Sequence, residues 1–227
     1  MKYISVVLAL ILIFGLTNVS AQETKILKEP KEVQYYNTKI AFNIGIGYLL
    51  ADTPSDAPDW YDDYIDEMRM NLNFDLRFSH FFSPTGGLLL MYSNFSTSNN
   101  INLDGVRASD DISLNFFGIG YSSRQSDLSS RVNIYADIAI GLAKYENNGV
   151  IDGGSLRIDG STFGLFGSLG LEIKLKENIS FALEAGYLVA NFTEMDVEFN
   201  GRKETLKSAD GDSWSRFTLQ GGIHFYF

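Results

Sequence analysis

Six stretches of this sequence alternate apolar and small polar residues with a period of two. That period admits only extended strands, whose successive side chains point to opposite faces. In Lys39 to Leu50, Ile40, Phe42, Ile44, Ile46, Tyr48 and Leu50 oppose Ala41, Asn43, Gly45 and Gly47. Met68 to Phe81 sets Met68, Met70, Leu72, Phe74, Leu76 and Phe78 against Arg69, Asn71, Asn73, Asp75, Arg77 and Ser79. Ser130 to Lys144, Arg157 to Leu175, Ile179 to Phe192 and Ser213 to Phe227 repeat the pattern. Gly87 to Ser96 and Asp111 to Arg124 have strand composition with a blurred phase, and a β-bulge at Phe116-Phe117 is expected there. Eight strands follow.

The connections alternate in length. Ala51 to Glu67, Thr97 to Asp110, Tyr145 to Leu156 and Thr193 to Asp212 are long; Phe82 to Gly86, Gln125 to Ser129 and Lys176 to Asn178 are short. Long external loops and short periplasmic turns on an even number of strands are the pattern of a transmembrane barrel. Asn200-Gly201, flanked by Val197, Phe199 and Leu206, suggests a hairpin in the last long connection.

An eight-stranded barrel can also be soluble, with its apolar face around a ligand. The polar faces decide. They carry Gly, Ala, Ser and Asn with a few balanced charges, Arg69, Arg77, Lys174 and Arg216 against Asp75, Asp137, Glu172 and Glu184. A water-facing surface would be richer in Lys and Glu, whereas a narrow lumen needs such pairing because an unpaired buried charge is costly. The fold expected is therefore all-β, an eight-stranded antiparallel up-and-down transmembrane β-barrel over residues 39–227. Tyr48, Tyr92, Tyr187 and Trp214 would sit at its loop-side interface, and Phe78, Phe81, Phe82, Phe225 and Phe227 at its turn-side interface. Met1 to Ala21 reads as a signal peptide, with Lys2 before an apolar run too short to span a bilayer and the small residues Val19-Ser20-Ala21 before cleavage. Residues 22–38 are polar and read as a flexible periplasmic lead-in. With no Cys, disulfides, thiolate metal sites and a lipid anchor are excluded, and a formal charge of −10 makes nucleic acid a poor partner.

The ending Gln220-Gly221-Gly222-Ile223-His224-Phe225-Tyr226-Phe227 resembles the C-terminal β-signal of outer-membrane proteins, with Gln220, Gly222, Phe225 and Phe227 at the matching positions. The resemblance, to small barrels of the outer-membrane protein A and X type and to Bacteroidota outer-membrane barrel domains, covers Lys39 to Phe227. It implies a Gram-negative outer membrane, contact with membrane lipid and lipopolysaccharide, and insertion by the barrel assembly machinery. It does not imply one function, because this architecture hosts porin-like proteins, adhesins and enzymes.

The candidate sites are two. Arg69, Asp75, Arg77, Asp137, Glu184 and Arg216 are expected to form a polar network that closes the lumen. Asp59, Asp62, Asp63, Asp66 and Glu67 form an acidic run interleaved with Trp60, Tyr61 and Tyr64, a candidate cation-binding loop or partner surface without EF-hand spacing. The four long connections carry −13 between them, which concentrates the acidity outside. His80 and His224 have opposite parity, which disfavours a shared catalytic site, and Gly164, Gly167 and Gly170 lie within a strand rather than before a helix. The expectation is a monomeric, non-enzymatic barrel without a cofactor, acting in envelope integrity or surface interaction through its loops. A lipid-modifying barrel enzyme is the alternative, with a lipocalin-like periplasmic carrier behind it.

Overall fold

The structure is a computed structural model and describes residues 36–50, 59–103, 106–125 and 130–227. The signal segment and nearly all of the lead-in lie outside the described residues. The elements are β1 (Thr38–Leu49), α1 (Asp59–Arg69), β2 (Met70–Phe81), β3 (Gly86–Leu103), β4 (Val106–Arg124), β5 (Val132–Ile151), β6 (Gly154–Lys176), β7 (Ile179–Phe199), β8 (Arg202–Ser213) and β9 (Arg216–Tyr226).

Each strand pairs antiparallel with its chain neighbour from β1 to β7. β7 then pairs with β9, and β9 with β1, so hydrogen bonds run around a closed ring of eight strands. Thr38 and Phe227 exchange both backbone bonds, at 3.1 and 2.9 Å, so the seam leaves no edge at its lower end. β8 stands outside the ring as the return limb of a hairpin on β7.

The faces follow the alternation. Phe42, Ile44 and Ile46 on β1, Met70 and Leu72 on β2, Ile134 and Ile140 on β5 and Leu219 on β9 all point outward and are exposed, while Ala41, Asn43, Asn73 and Asp75 are buried inside. So large an apolar exterior is stable only in contact with hydrocarbon. A strand of 12 residues, rising ~3.4 Å per residue at a tilt of ~40°, spans about 30 Å and covers the ~25 Å apolar band of an outer-membrane barrel. The band ends toward the loops in a polar ladder on the outer surface. There Tyr92 donates to Asn115 at 2.7 Å, and Asn94 donates to Asn115 and Ser113, each at 3.0 Å.

Three features differ from the sequence reading. First, the connections expected as loops are largely strand. β3 to β7 run 18 to 23 residues against 11 or 12 for β1, β2 and β9. The excess, with β8, forms a crown beyond the band. Two of its hairpins end in two-residue turns, Asp152-Gly153 and Asn200-Gly201, with φ of 49° and 79°, and 50° and 80°. Positive φ at both positions matches the right-handed twist of the flanking strands, and Gly supplies the second without strain. Second, no bulge occurs at Phe116-Phe117. The register of β4 with β3 is unbroken, Phe116 points into the lumen and Phe117 outward. The phase is blurred in the sequence because the lumen at that height is itself apolar. Register shifts fall instead at Gly160/Gly164 and Phe192/Glu194, where the crown departs from the barrel, and at Lys174/Lys176 beside a turn. Third, residues 59–69 are helical, so Met68 is buried rather than lipid-facing. Tyr64, Ile65 and Met68 recur at helical spacing, acidic residues occupy the first turns and Arg69 the last, all of which suit a helix.

Candidate functional site

The lumen is filled in three layers. At the turn end, Arg124 lies 3.8 Å over the Phe81 ring and donates to the carbonyls of Pro84 and Tyr36, both at 2.9 Å. Above it Glu172 gathers Lys39 at 3.6 Å, His224 Nδ1 at 2.6 Å and the Tyr226 hydroxyl. His224 Nε2 meets Asn43 Oδ1 at 3.1 Å. That side chain leaves no room beside Gly222, where a Cβ would stand 1.8 Å from the same oxygen.

The middle layer is built around Arg77, which is 1% exposed. Its guanidinium donates to Asp75 at 2.6 Å, Asp137 at 2.9 Å and Ser168 at 3.2 Å, and binds both oxygens of Glu184. Tyr135 donates to Glu184 at 2.9 Å, and Asn73 to Asp75 at 2.9 Å. Tyr135 fits because its cross-strand partner is Gly170, where a Cβ would lie 2.3 Å from the ring. A charge buried this deeply survives only when paired and hydrogen-bonded, which the three carboxylates accomplish in one geometry.

The upper layer is apolar. Phe95, Phe116, Phe166 and Phe192 are each at most 2% exposed and meet Leu89, Leu114 and Leu188 in one cluster. The side chains of Tyr64 and Met68 enter it from α1. Arg216 marks the boundary between the layers. It donates to Ser93 at 2.7 Å and to the Leu114 carbonyl at 3.3 Å, and no carboxylate among the described residues pairs with it.

Of the six residues expected in one network, Asp75, Asp137 and Glu184 all bind Arg77 directly. Arg216 lies inside but apart. Arg69 lies elsewhere: as the last residue of α1 it binds Asp66 at 2.8 Å, an (i, i+3) pair on the helix surface, because a helix rather than a strand carries it. Parity puts Tyr135 and His224 on the lumen side but outside the expected network, and Lys39 and Tyr226, which share that parity, are further members of the lumen clusters. His80 is exposed on the outside, so the two histidines stay apart.

The acidic run divides in the same way. Asp66 pairs with Arg69, Glu67 accepts from Asn99 Nδ2 at 2.9 Å, and Asp63 is exposed, while the side chains of Asp59 and Asp62 lie outside the described ones. Among the described residues no group of three or more acidic or His side chains gathers to hold a metal ion. At the C-terminus Gln220 and Gly222 face the lumen and Phe225 and Phe227 face outward, on a strand whose Phe225 pairs with Ile40.

Above the apolar layer, inside the crown, lies a cleft of about 500 Å³. Tyr64, Ile65 and Met68 form one wall and Tyr145, Phe192 and Trp214 the base. The Tyr145 and Trp214 rings are 4.5 Å apart, and Tyr145 meets Phe192 edge-on at 6.2 Å. Two charged groups line it. Asp110 accepts from the Tyr64 hydroxyl and, at 2.6 Å, from Asn147 Nδ2; Lys207 binds Glu194 at 2.6 Å, a hydrogen bond that raises its pKa above the ordinary lysine range.

No protein-family model matches the chain, and no curated protein matches it. Solved structures do. A major outer-membrane protein of Thermus thermophilus superimposes with a TM-score of 0.56 at 10% identity, over 84% of this chain and 99% of that one. Neisserial surface protein A gives 0.55 at 10%, over 84% and 97%, and OprG of Pseudomonas aeruginosa 0.51 at 13%, over 85% and 98%. By fold, therefore, the chain is an eight-stranded antiparallel β-barrel of the kind these outer-membrane proteins have, with an apolar belt suited to crossing a bilayer with strands.

Proposed function

We propose that this protein is a non-enzymatic, closed barrel that works by binding at its crown, on the outer surface of the cell. The observation that carries this reading is the succession of buried side-chain layers along the lumen among the described residues, with an open cleft at the crown end. Arg124, the Arg77 network and the phenylalanine layer succeed one another along the axis, and eight strands leave an interior that side chains fill. The crown by contrast spends long strand segments and a helix on a surface beyond the membrane band, where the rule of long external connections puts it outside. Catalysis has little support: His224 and its carboxylate partner Glu172 are buried, and His80 is on the outer face. Envelope lipid and lipopolysaccharide surround the band, the barrel acts as a monomer, and Gln220, Gly222, Phe225 and Phe227 serve its insertion.

Planar-bilayer recording tests the reading. The purified protein should give no stepwise conductance. A steady ion current from the wild-type chain would show an open lumen and overturn it.

A further inference from the structure

We propose that the crown cleft takes a small organic cation, an ammonium group carried on an aromatic or short aliphatic body. This rests on the reading of the crown as the working surface and names the chemistry of its ligand.

The volume, about 500 Å³, lies in the ordinary range for small-molecule pockets, which are mostly apolar with a few placed polar groups. The base is aromatic, and aromatic faces attract cations through their quadrupoles. Asp110 supplies the charge. Both its oxygens are held by neutral donors, the Tyr64 hydroxyl and the Asn147 amide, and among the described residues no Lys, Arg or His nitrogen pairs with it. A carboxylate fixed by neutral groups at the wall of an apolar cleft favours a positive ligand and disfavours an anion. Lys207, the cationic side chain of the lining, is neutralised by Glu194 at 2.6 Å. The surroundings act in the same direction: Asp63, Asp66 and Glu67 on the exposed side of α1 contribute to an acidic outer surface that concentrates cations.

Trp214 at the base is the reporter. The protein has two tryptophans, so Trp60→Phe leaves Trp214 alone. In lipid nanodiscs, with empty nanodiscs as the blank, this variant is titrated with 2-phenylethylammonium, with 3-phenylpropionate and with 2-phenylethanol. The expected result is a saturable change in Trp214 emission with the ammonium probe, at least about tenfold weaker with either other probe. Asp110→Asn should weaken the ammonium titration by a similar factor while retaining heat-dependent gel migration. Equal binding of all three probes, or preference for the anion or the alcohol, would overturn the charge assignment. No saturable response to any probe would overturn the small-molecule site, leaving the closed-lumen reading to stand or fall on the conductance recording.

Discussion

At the scale of single residues, Arg77 and Arg69 separate what parity alone joins. Both stand at odd positions in the same alternating stretch, and the sequence puts both in the lumen. Arg77 is held by three buried carboxylates, whereas Arg69 pairs with the exposed carboxylate of Asp66 on its own helix. Arg77→Met leaves Asp75, Asp137 and Glu184 facing one another and should cost about 3–5 kcal/mol or prevent folding. Arg69→Ala should cost clearly less than Arg77→Met, since its partner Asp66 is exposed and a solvent-screened pair contributes little. Urea unfolding in micelles, followed by the heat-dependent gel shift, measures both; equal costs would contradict the separation. Gly170→Ala should also destabilise, by about 1–3 kcal/mol on the same assay, because its Cβ would enter the Tyr135 ring. Tyr135 and Glu172 were visible in the sequence as polar-face residues. Their partners, Glu184 for Tyr135 and Lys39, His224 and Tyr226 for Glu172, were not, because they stand on other strands and strand parity gives a face without a height.

At the scale of elements, the barrel strands were legible because hydrocarbon outside and small polar residues inside enforce strict alternation. That constraint ends at the loop side of the band. The crown strands have water on one face, so polar residues occur on both parities and the pattern reads as loop. Asn200-Gly201 reads as a hairpin turn from the sequence, and Asp152-Gly153 carries the same signal in a stretch whose alternation is lost. α1 was hidden by extending the strand pattern back to Met68, although Tyr64, Ile65 and Met68 already had helical spacing. Read from the sequence as a long external loop, the connection containing α1 would lie outside the core. The structure makes it part of the core, so Met68→Ala should cost about 2–5 kcal/mol by the urea assay, the ordinary range for a buried large-to-small change. A neutral result would return residues 59–69 to the status of a surface loop.

At the scale of the whole molecule, one arrangement explains the composition. An uncharged belt faces lipid, a compensated charge network fills the lower lumen, an aromatic layer fills the upper lumen, and the acidic residues collect on the crown. The belt was decided by the sequence because it is the face that tolerates no exception. The aromatic layer was not, since apolar residues inside the barrel mimic those outside and erase the phase of β3 and β4. The absence of native cysteine makes the arrangement directly measurable with three single substitutions and a membrane-impermeant maleimide. Glu204→Cys on the crown should react on intact cells, Glu177→Cys at the β6–β7 turn only after the outer membrane is permeabilised, and Ile44→Cys on the belt in neither case until the barrel is denatured. Reaction of Ile44→Cys in the folded protein would show that the apolar face is wet, and exchange of the other two results would place the crown in the periplasm; either would contradict the account.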